Sequence, residues 1–189
     1  MLKAIYQGWQ DERLLKAYAR GQHRAFTLLF ERHDAHLVSF LFHRCSDQSV
    51  AEEIAQETWL TVARQCHRFD ATHRFKTWLF TIARRKHIDH WRKQTRQQQS
   101  AGFPLANELE RLMDANAVQG HEQVAAHQLL DRIQQLSESQ KEALLLKLAG
   151  FSQNEIAQIT NSKRETVKSR IRYATSTLRD AWPMPESQS

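Results

Sequence analysis

The residues best suited to chemistry lie between Phe151 and Tyr173, in the run FSQNEIAQITNSKRETVKSRIRY. That chemistry is ionic and non-covalent. From Lys163 to Arg179, six basic residues (Lys163, Arg164, Lys168, Arg170, Arg172 and Arg179) stand against one acid, Glu165. The spacing predicts a short helix from Gln153 to Ile159, a tight turn, and a second helix from Lys163, which is the pattern of a helix-turn-helix. Ala157 falls where the two helices approach closely and a small side chain is needed. Ile156, Ile159, Val167 and Ile171 supply an inner face, and Asn161 tolerates the left-handed backbone such a turn requires. The first turn of the second helix would point at base edges in a major groove, with its flanks on phosphates. Lys163, Arg164, Thr166, Lys168 and Arg172 are therefore candidate DNA contacts. A solvated basic face on a helical hairpin is the plainer alternative, and the agreement of turn, core and charge weighs against it.

Two further clusters carry charge. Arg84 to Arg96 reads RRKHIDHWRKQTR, with six Arg or Lys residues against the single acid Asp89. Phe69, Phe75, Trp78 and Phe80 precede it. Cations beside aromatics suit single-stranded nucleic acid, where the cations hold phosphates and the rings stack bases. Trp78 shares helical spacing with Ile82 and so belongs more readily to a core, which leaves the loop Asp70 to Arg74 as the better candidate for touching bases. The third cluster is acidic. Asp47, Glu52, Glu53 and Glu57 have no Lys or Arg among them. Such a patch repels DNA and suits a basic protein partner, although acids near a helix start also serve the helix dipole.

The elements that must position these residues are all helical. Asp11 to Arg20 opens on acids and stops at Gly21. A second run, Ala25 to about Arg44, repeats Phe26, Leu29, Phe30, Leu37, Phe40 and Leu41 at the spacing of a buried face. A third helix is expected from a capping box at Ser49–Glu52, with Ile54, Ala55, Trp59 and Val62 inward. A fourth covers about Phe75 to Arg92, with Trp78, Leu79, Ile82 and Ala83 inward. Capping boxes at Ser137–Gln140, Ser152–Glu155 and Ser162–Glu165 mark three more helices of about 12 residues, about 8 residues and longer. Trp182-Pro183 is the expected end of the last. The Gln- and Ser-rich stretch from Gln94 reads as a linker. The expected organisation is an all-α chain in two small helical domains: residues 1–95, a linker over 96–125, residues 126–183, and a tail over 184–189.

Composition narrows the function. The 189 residues carry a net charge of +6, and a basic chain tends to meet a polyanion. Five glycines and three prolines disfavour a turn-rich β fold or a Gly-rich phosphate loop. Cys45 and Cys66 have no CxxC partner, so neither a disulfide framework nor a zinc site is implied. No apolar run is long enough to span a membrane, the N-terminus lacks a signal-peptide core, and a cytoplasmic location is expected. His33, His36 and His43 match no metal-ligand spacing. No cofactor, metal or nucleophile motif is read.

The runs RFKTWLFTIAR and ETVKSRIRYA, in this order and separation, are specific. Around them, AEEIAQETWLTVARQCHRFDATHRFKTWLFTIARRKHIDHWRK resembles region two of the extracytoplasmic-function (ECF) group of bacterial sigma-70 factors. LSESQKEALLLKLAGFSQNEIAQITNSKRETVKSRIRYATSTLR resembles their region four. The resemblance implies a transcription-initiation role without catalysis. The helix bearing Glu52, Glu53, Gln56 and Glu57 would dock on the coiled coil of the polymerase beta-prime subunit. Asp70, His73 and Arg74 would lie in the loop receiving a base from the minus-ten element, with Arg84, Arg85, His90, Arg92 and Lys93 holding the promoter. Ser162, Lys163, Arg164, Thr166, Lys168, Ser169 and Arg172 would read the minus-thirty-five element, and region four would also touch the beta flap. Members are normally kept silent by some device, which leaves room for an anti-sigma factor that the sequence does not identify. Where relatives often have Gly-Val in the turn, this chain has Asn161-Ser162, so base preference is not transferable. The competing reading is a free-standing helix-turn-helix regulator binding a palindrome as a dimer. It leaves the acidic cluster and the aromatic-basic helix unexplained.

Overall fold

A computed structural model describes residues 6, 8–101, 133 and 135–179. All regular structure among them is helical. The chain divides into two compact units, residues 1–104 and, apart from a short run at 158–160, residues 105–189.

The first unit packs four helices in sequence order: α1 (Asp11–Ala19), α2 (His23–Cys45), α3 (Gln48–Gln65) and α4 (Phe75–Ala101). A single 3-10 turn, Cys66–Arg68, follows α3. Each helix packs on the next, and α4 returns to α1 and α2. Its core holds Leu14, Leu15, Leu29, Leu37, Leu41, Val62, Phe75, Leu79 and Phe80, all fully enclosed. The expected faces of α3 and α4 are buried apart from Trp78, which is half-buried. On α2 the buried stripe is Ala25, Leu28, Leu29, His33, Leu37, Phe40 and Leu41. Phe26 and Phe30, expected in that stripe, lie at its edge instead. Both rings pack on Trp59, and Phe30 stays 40% exposed.

Two boundaries of this unit differ from expectation in an instructive way. Helix α3 starts two residues early because Asp47, not Ser49, is its cap: the Asp47 carboxylate accepts from the Val50 amide at 3.0 Å. Helix α4 runs nine residues past Arg92, to Ala101. The linker read from Gln94 therefore begins as helix, since Gln, Lys and Arg are good helix formers and no Gly or Pro intervenes before Gly102. Residues 102–125 lie outside the described residues.

In the second unit α5 (Glu138–Leu148), α6 (Gln153–Thr160) and α7 (Arg164–Arg179) follow. The Ser137 amide donates to Gln140 Oε1 at 2.8 Å, and Ser152 and Glu155 exchange bonds in the same way. Helix α5 ends where Gly150 takes φ +86°, with the Phe151 amide on the Leu146 carbonyl and the Gly150 amide on that of Lys147. Helix α7 begins at Arg164, so Lys163 rather than Ser162 occupies the cap position. The expected ends of this domain, 126–132 and 180–183 with Trp182-Pro183, and the tail 184–189 lie outside the described residues.

Helix α1 is anchored by charge. Asp11 Oδ1 accepts from Arg32 at 2.8 Å, and Oδ2 lies 2.6 Å from His33 Nε2. Arg32 also donates to the Trp9 carbonyl at 2.8 Å. Burial pushes the Asp11 carboxyl up, but the hydrogen bonds and charges of His33 and Arg32 outweigh it and hold the group below its ordinary 3.8. A depressed folded value adds stability at neutral pH, which is lost as pH falls through that value. Thermal melts should therefore show an acid-dependent loss below roughly pH 4. Asp11→Asn should flatten it and cost about 1–3 kcal/mol at pH 7.

Candidate nucleic-acid and partner interfaces

Three polar surfaces emerge from these units, the first on α3. Burial of Ile54, Ala55, Thr58, Trp59 and Val62 forces the opposite side outward, and Glu52, Glu53, Gln56 and Glu57 are all exposed on it. Part of this charge is used locally. Glu52 accepts from Gln48 at 2.6 Å, and Glu57 pairs with Lys86 of α4 at 3.0 Å. Leu60, one turn beyond Gln56 and Glu57, is 55% exposed. It adds an exposed apolar residue at the C-terminal end of the acidic face, which charge counting alone did not reveal. Beside this face, α2 and α3 enclose an open groove of about 640 Å³ walled by Phe30, Val38, Phe42, Glu52, Gln56 and Trp59. The Trp59 indole N–H donates to Asp34 at 2.8 Å, fixing the ring in the groove wall.

The second surface is the loop 69–74 and helix α4. Asp70 organises the loop: its carboxylate accepts from the Thr72 amide at 2.9 Å, and its carbonyl accepts from the His73 amide at 3.1 Å. The Thr72 bonds, with the nearby His73, hold the Asp70 carboxyl below the usual carboxylate range. Asp70 thus shapes the loop, while Ala71, Thr72, His73 and Arg74 are displayed. Phe69 packs on Trp78 with ring centres 5.1 Å apart, which ties the loop to α4. Along α4, Trp78, Arg85, Arg92 and Arg96 recur at helical spacing on one face, a stripe about 27 Å long. Arg85, Arg92, Lys93 and Arg96 are exposed, whereas Arg84 and His90 are half-buried. Asp89 is exposed within the same stripe. Trp91, which sequence reasoning did not single out, is 56% exposed.

The third surface is the helix-turn-helix. Asn161 takes φ 49°, as its residue type allows, and the Ser162 amide closes the turn on the Ala157 carbonyl at 2.9 Å. Ile156, Ile159 and Val167 are buried, and Ala174 joins them, while Ile171 is half-buried. The outer side of α7 carries Lys163, Arg164, Thr166, Lys168, Ser169 and Arg172, all exposed. Ser162 is half-buried and accepts from the Arg170 guanidinium at 3.0 Å, so Arg170 braces the turn. Tyr173, 57% exposed, continues this side and was not anticipated.

His33, weighed in the sequence as a metal ligand, is spent on Asp11. Burial pushes the Cys45 thiol up to about 11, which keeps it protonated at neutral pH. No described helix is long and apolar enough to cross a membrane.

Comparison with known proteins bears on these surfaces. Residues 29–97 match the family Sigma-70 region 2, and residues 126–176 match Sigma-70, region 4. The ECF RNA polymerase sigma factor SigX of Bacillus subtilis is 31% identical over 76% of this chain and 76% of its own length. BldN of Streptomyces coelicolor, an ECF RNA polymerase sigma factor, is 28% identical over 87% of this chain, which spans only 63% of that longer relative. Among solved structures, the sigma factor RpoE of Bartonella quintana, in complex with the anti-sigma factor NepR, superposes with a TM-score of 0.65 at 25% identity. That match covers 82% of this chain and 95% of the other.

The loop geometry makes its own prediction. Asp70→Ala should speed hydrogen exchange at the Thr72 and His73 amides while leaving the melting temperature of the chain within about 2 °C.

Proposed function

The chain belongs to the ECF group of sigma-70 factors, and from its surfaces we propose that it binds core RNA polymerase through α3 and directs promoter recognition and melting through α4 and α7. The carrying observation is that one unit exposes an acidic face ending in Leu60 on α3 and a cationic stripe on the adjacent α4. A DNA-only protein gains nothing from the first, because phosphates repel it. A basic protein surface is its natural complement.

The division of labour follows from charge and exposure. Glu52, Glu53, Gln56 and Glu57 meet the beta-prime coiled coil, with Leu60 desolvated at the edge of the contact. Arg85, Arg92 and Lys93, supported by Arg84 and His90, hold phosphates of the minus-ten element. The loop bearing His73 and Arg74, shaped by Asp70, captures an unstacked base. On α7, Lys163, Arg164, Thr166, Lys168, Ser169 and Arg172 address the minus-thirty-five element, with Ser162 in the turn, and the same unit meets the beta flap. Taking a base out of the stack costs a few kcal/mol, which phosphate contacts and capture must offset. The account requires no reaction at a side chain of this protein, no cofactor and no metal, and it places the protein in the cytoplasm with the polymerase. The anti-sigma complex of the Bartonella relative supports a silencing partner of that kind here.

Three outcomes test this reading. In run-off transcription with purified core polymerase on genomic fragments, the chain should confer new start sites; none would refute the reading. Arg85→Ala and Arg92→Ala should each lower open-complex formation, and each lost phosphate contact should reduce the salt slope of promoter binding by about 1. Glu53→Lys, at an exposed site, should weaken core association at least about tenfold without lowering the melting temperature.

A further inference from the structure

A single acid stands in the first turn of α7. Glu165 lies among Lys163, Arg164, Lys168, Arg170 and Arg172. It shares a helix face with Lys168, Ser169 and Arg172, which follow three, four and seven positions on, and all four are exposed. Phosphates repel a carboxylate, so an acid on this face works against the charge around it.

Local structure gives this acid little to do. A capping box would hand the Ser162 amide to the Glu165 carboxylate, but that amide bonds the Ala157 carbonyl at 2.9 Å. The Ser162 hydroxyl accepts from Arg170 instead. Lys168 Nζ lies 4.0 Å from Glu165 Oε2, and the two side chains are 63% and 78% exposed. An ion pair that open contributes little. An acid in the first turn also favours the helix dipole, a role that needs charge but no aim.

The chemistry of the major groove narrows what the carboxylate can meet. The first residues of a recognition helix reach base edges there. An ionised carboxylate only accepts hydrogen bonds. On its major-groove edge guanine offers acceptors alone, and thymine offers an acceptor and a methyl group. Cytosine offers its N4 amine and no acceptor of its own. Adenine sets the N7 acceptor beside its N6 amine. Cytosine is therefore the best match, adenine a poorer one, and guanine and thymine oppose the charge.

Resting on the function proposed above, we infer that Glu165 selects cytosine at one position of the minus-thirty-five element. It acts by discrimination rather than by affinity. The surrounding cations supply attraction to any duplex, and the carboxylate penalises every sequence that leaves it without a donor.

The test uses holoenzyme assembled from the full chain and core polymerase. Promoter duplexes randomised across the minus-thirty-five element are retained and sequenced. The wild type should enrich cytosine about tenfold over guanine and thymine at one position, the size expected of one good base contact. Glu165→Gln keeps the side-chain length, and its amide can pair with adenine N6 and N7 together. It should lose the cytosine preference and turn that position toward adenine, with the other positions unchanged. Glu165→Ala should flatten the position. Both variants should melt within about 3 °C of the wild type. A wild type with no cytosine preference anywhere in the element overturns the inference. So does cytosine kept at full strength by either variant, which is what a role confined to the helix dipole would give. A wild-type holoenzyme that retains no DNA selectively refutes the sigma-factor reading itself, and the inference with it.

Discussion

Two adjacent carboxylates at the start of α1 hold the first unit in working order. Asp11 bonds to Arg32 and His33 of α2. Glu12 bonds to the Phe75 amide, 63 positions away at the start of α4. An unsatisfied amide at a half-buried helix start is costly, and here it is satisfied from another helix rather than from the preceding loop. The loop 69–74 is thereby freed from capping α4 and can display Thr72, His73 and Arg74. Asp11 in turn keeps Glu12 in place by fastening α1 to α2. Through this pair, α1 is fastened both to α2 and to the start of α4, beside the loop 69–74.

Around that constraint, apolar burial and surface charge perform separate tasks. Leucines and phenylalanines fill the interior, while nearly every proposed contact residue is exposed. Exposed charges contribute little to folding, so they are available for recognition. In the function proposed here, repulsion between the acidic face of α3 and DNA would lower free promoter affinity, and docking on the polymerase would remove that penalty. Such an arrangement couples DNA reading to partner binding without any moving part being required.

Much of this was legible in the sequence because the signals are local. Ser152 and Glu155 lie three apart, Asn161 sits where a left-handed residue is needed, and the acidic side of α3 follows from the burial of Ile54, Ala55 and Trp59. The misses have local causes too. Asp47 outcompetes Ser49 as a cap because it stands two residues earlier with an ionised acceptor. Helix α4 overruns the expected linker because polar helix formers look like a linker by composition alone. Phe26 and Phe30 fit the helical spacing but sit at the edge of the stripe, against Trp59. Glu12 and Phe75 were not legible as partners at all, since no periodicity links residues that distant. Leu60 and Tyr173 were hidden for the opposite reason, because an apolar residue is assigned to a core by default.

The most direct measurement is equilibrium binding of the chain to a labelled promoter fragment, with and without core polymerase, at near-physiological salt. The account predicts weak binding by the chain alone and tight, sequence-selective binding once core polymerase is added. Equally tight and selective binding in the absence of polymerase would contradict it.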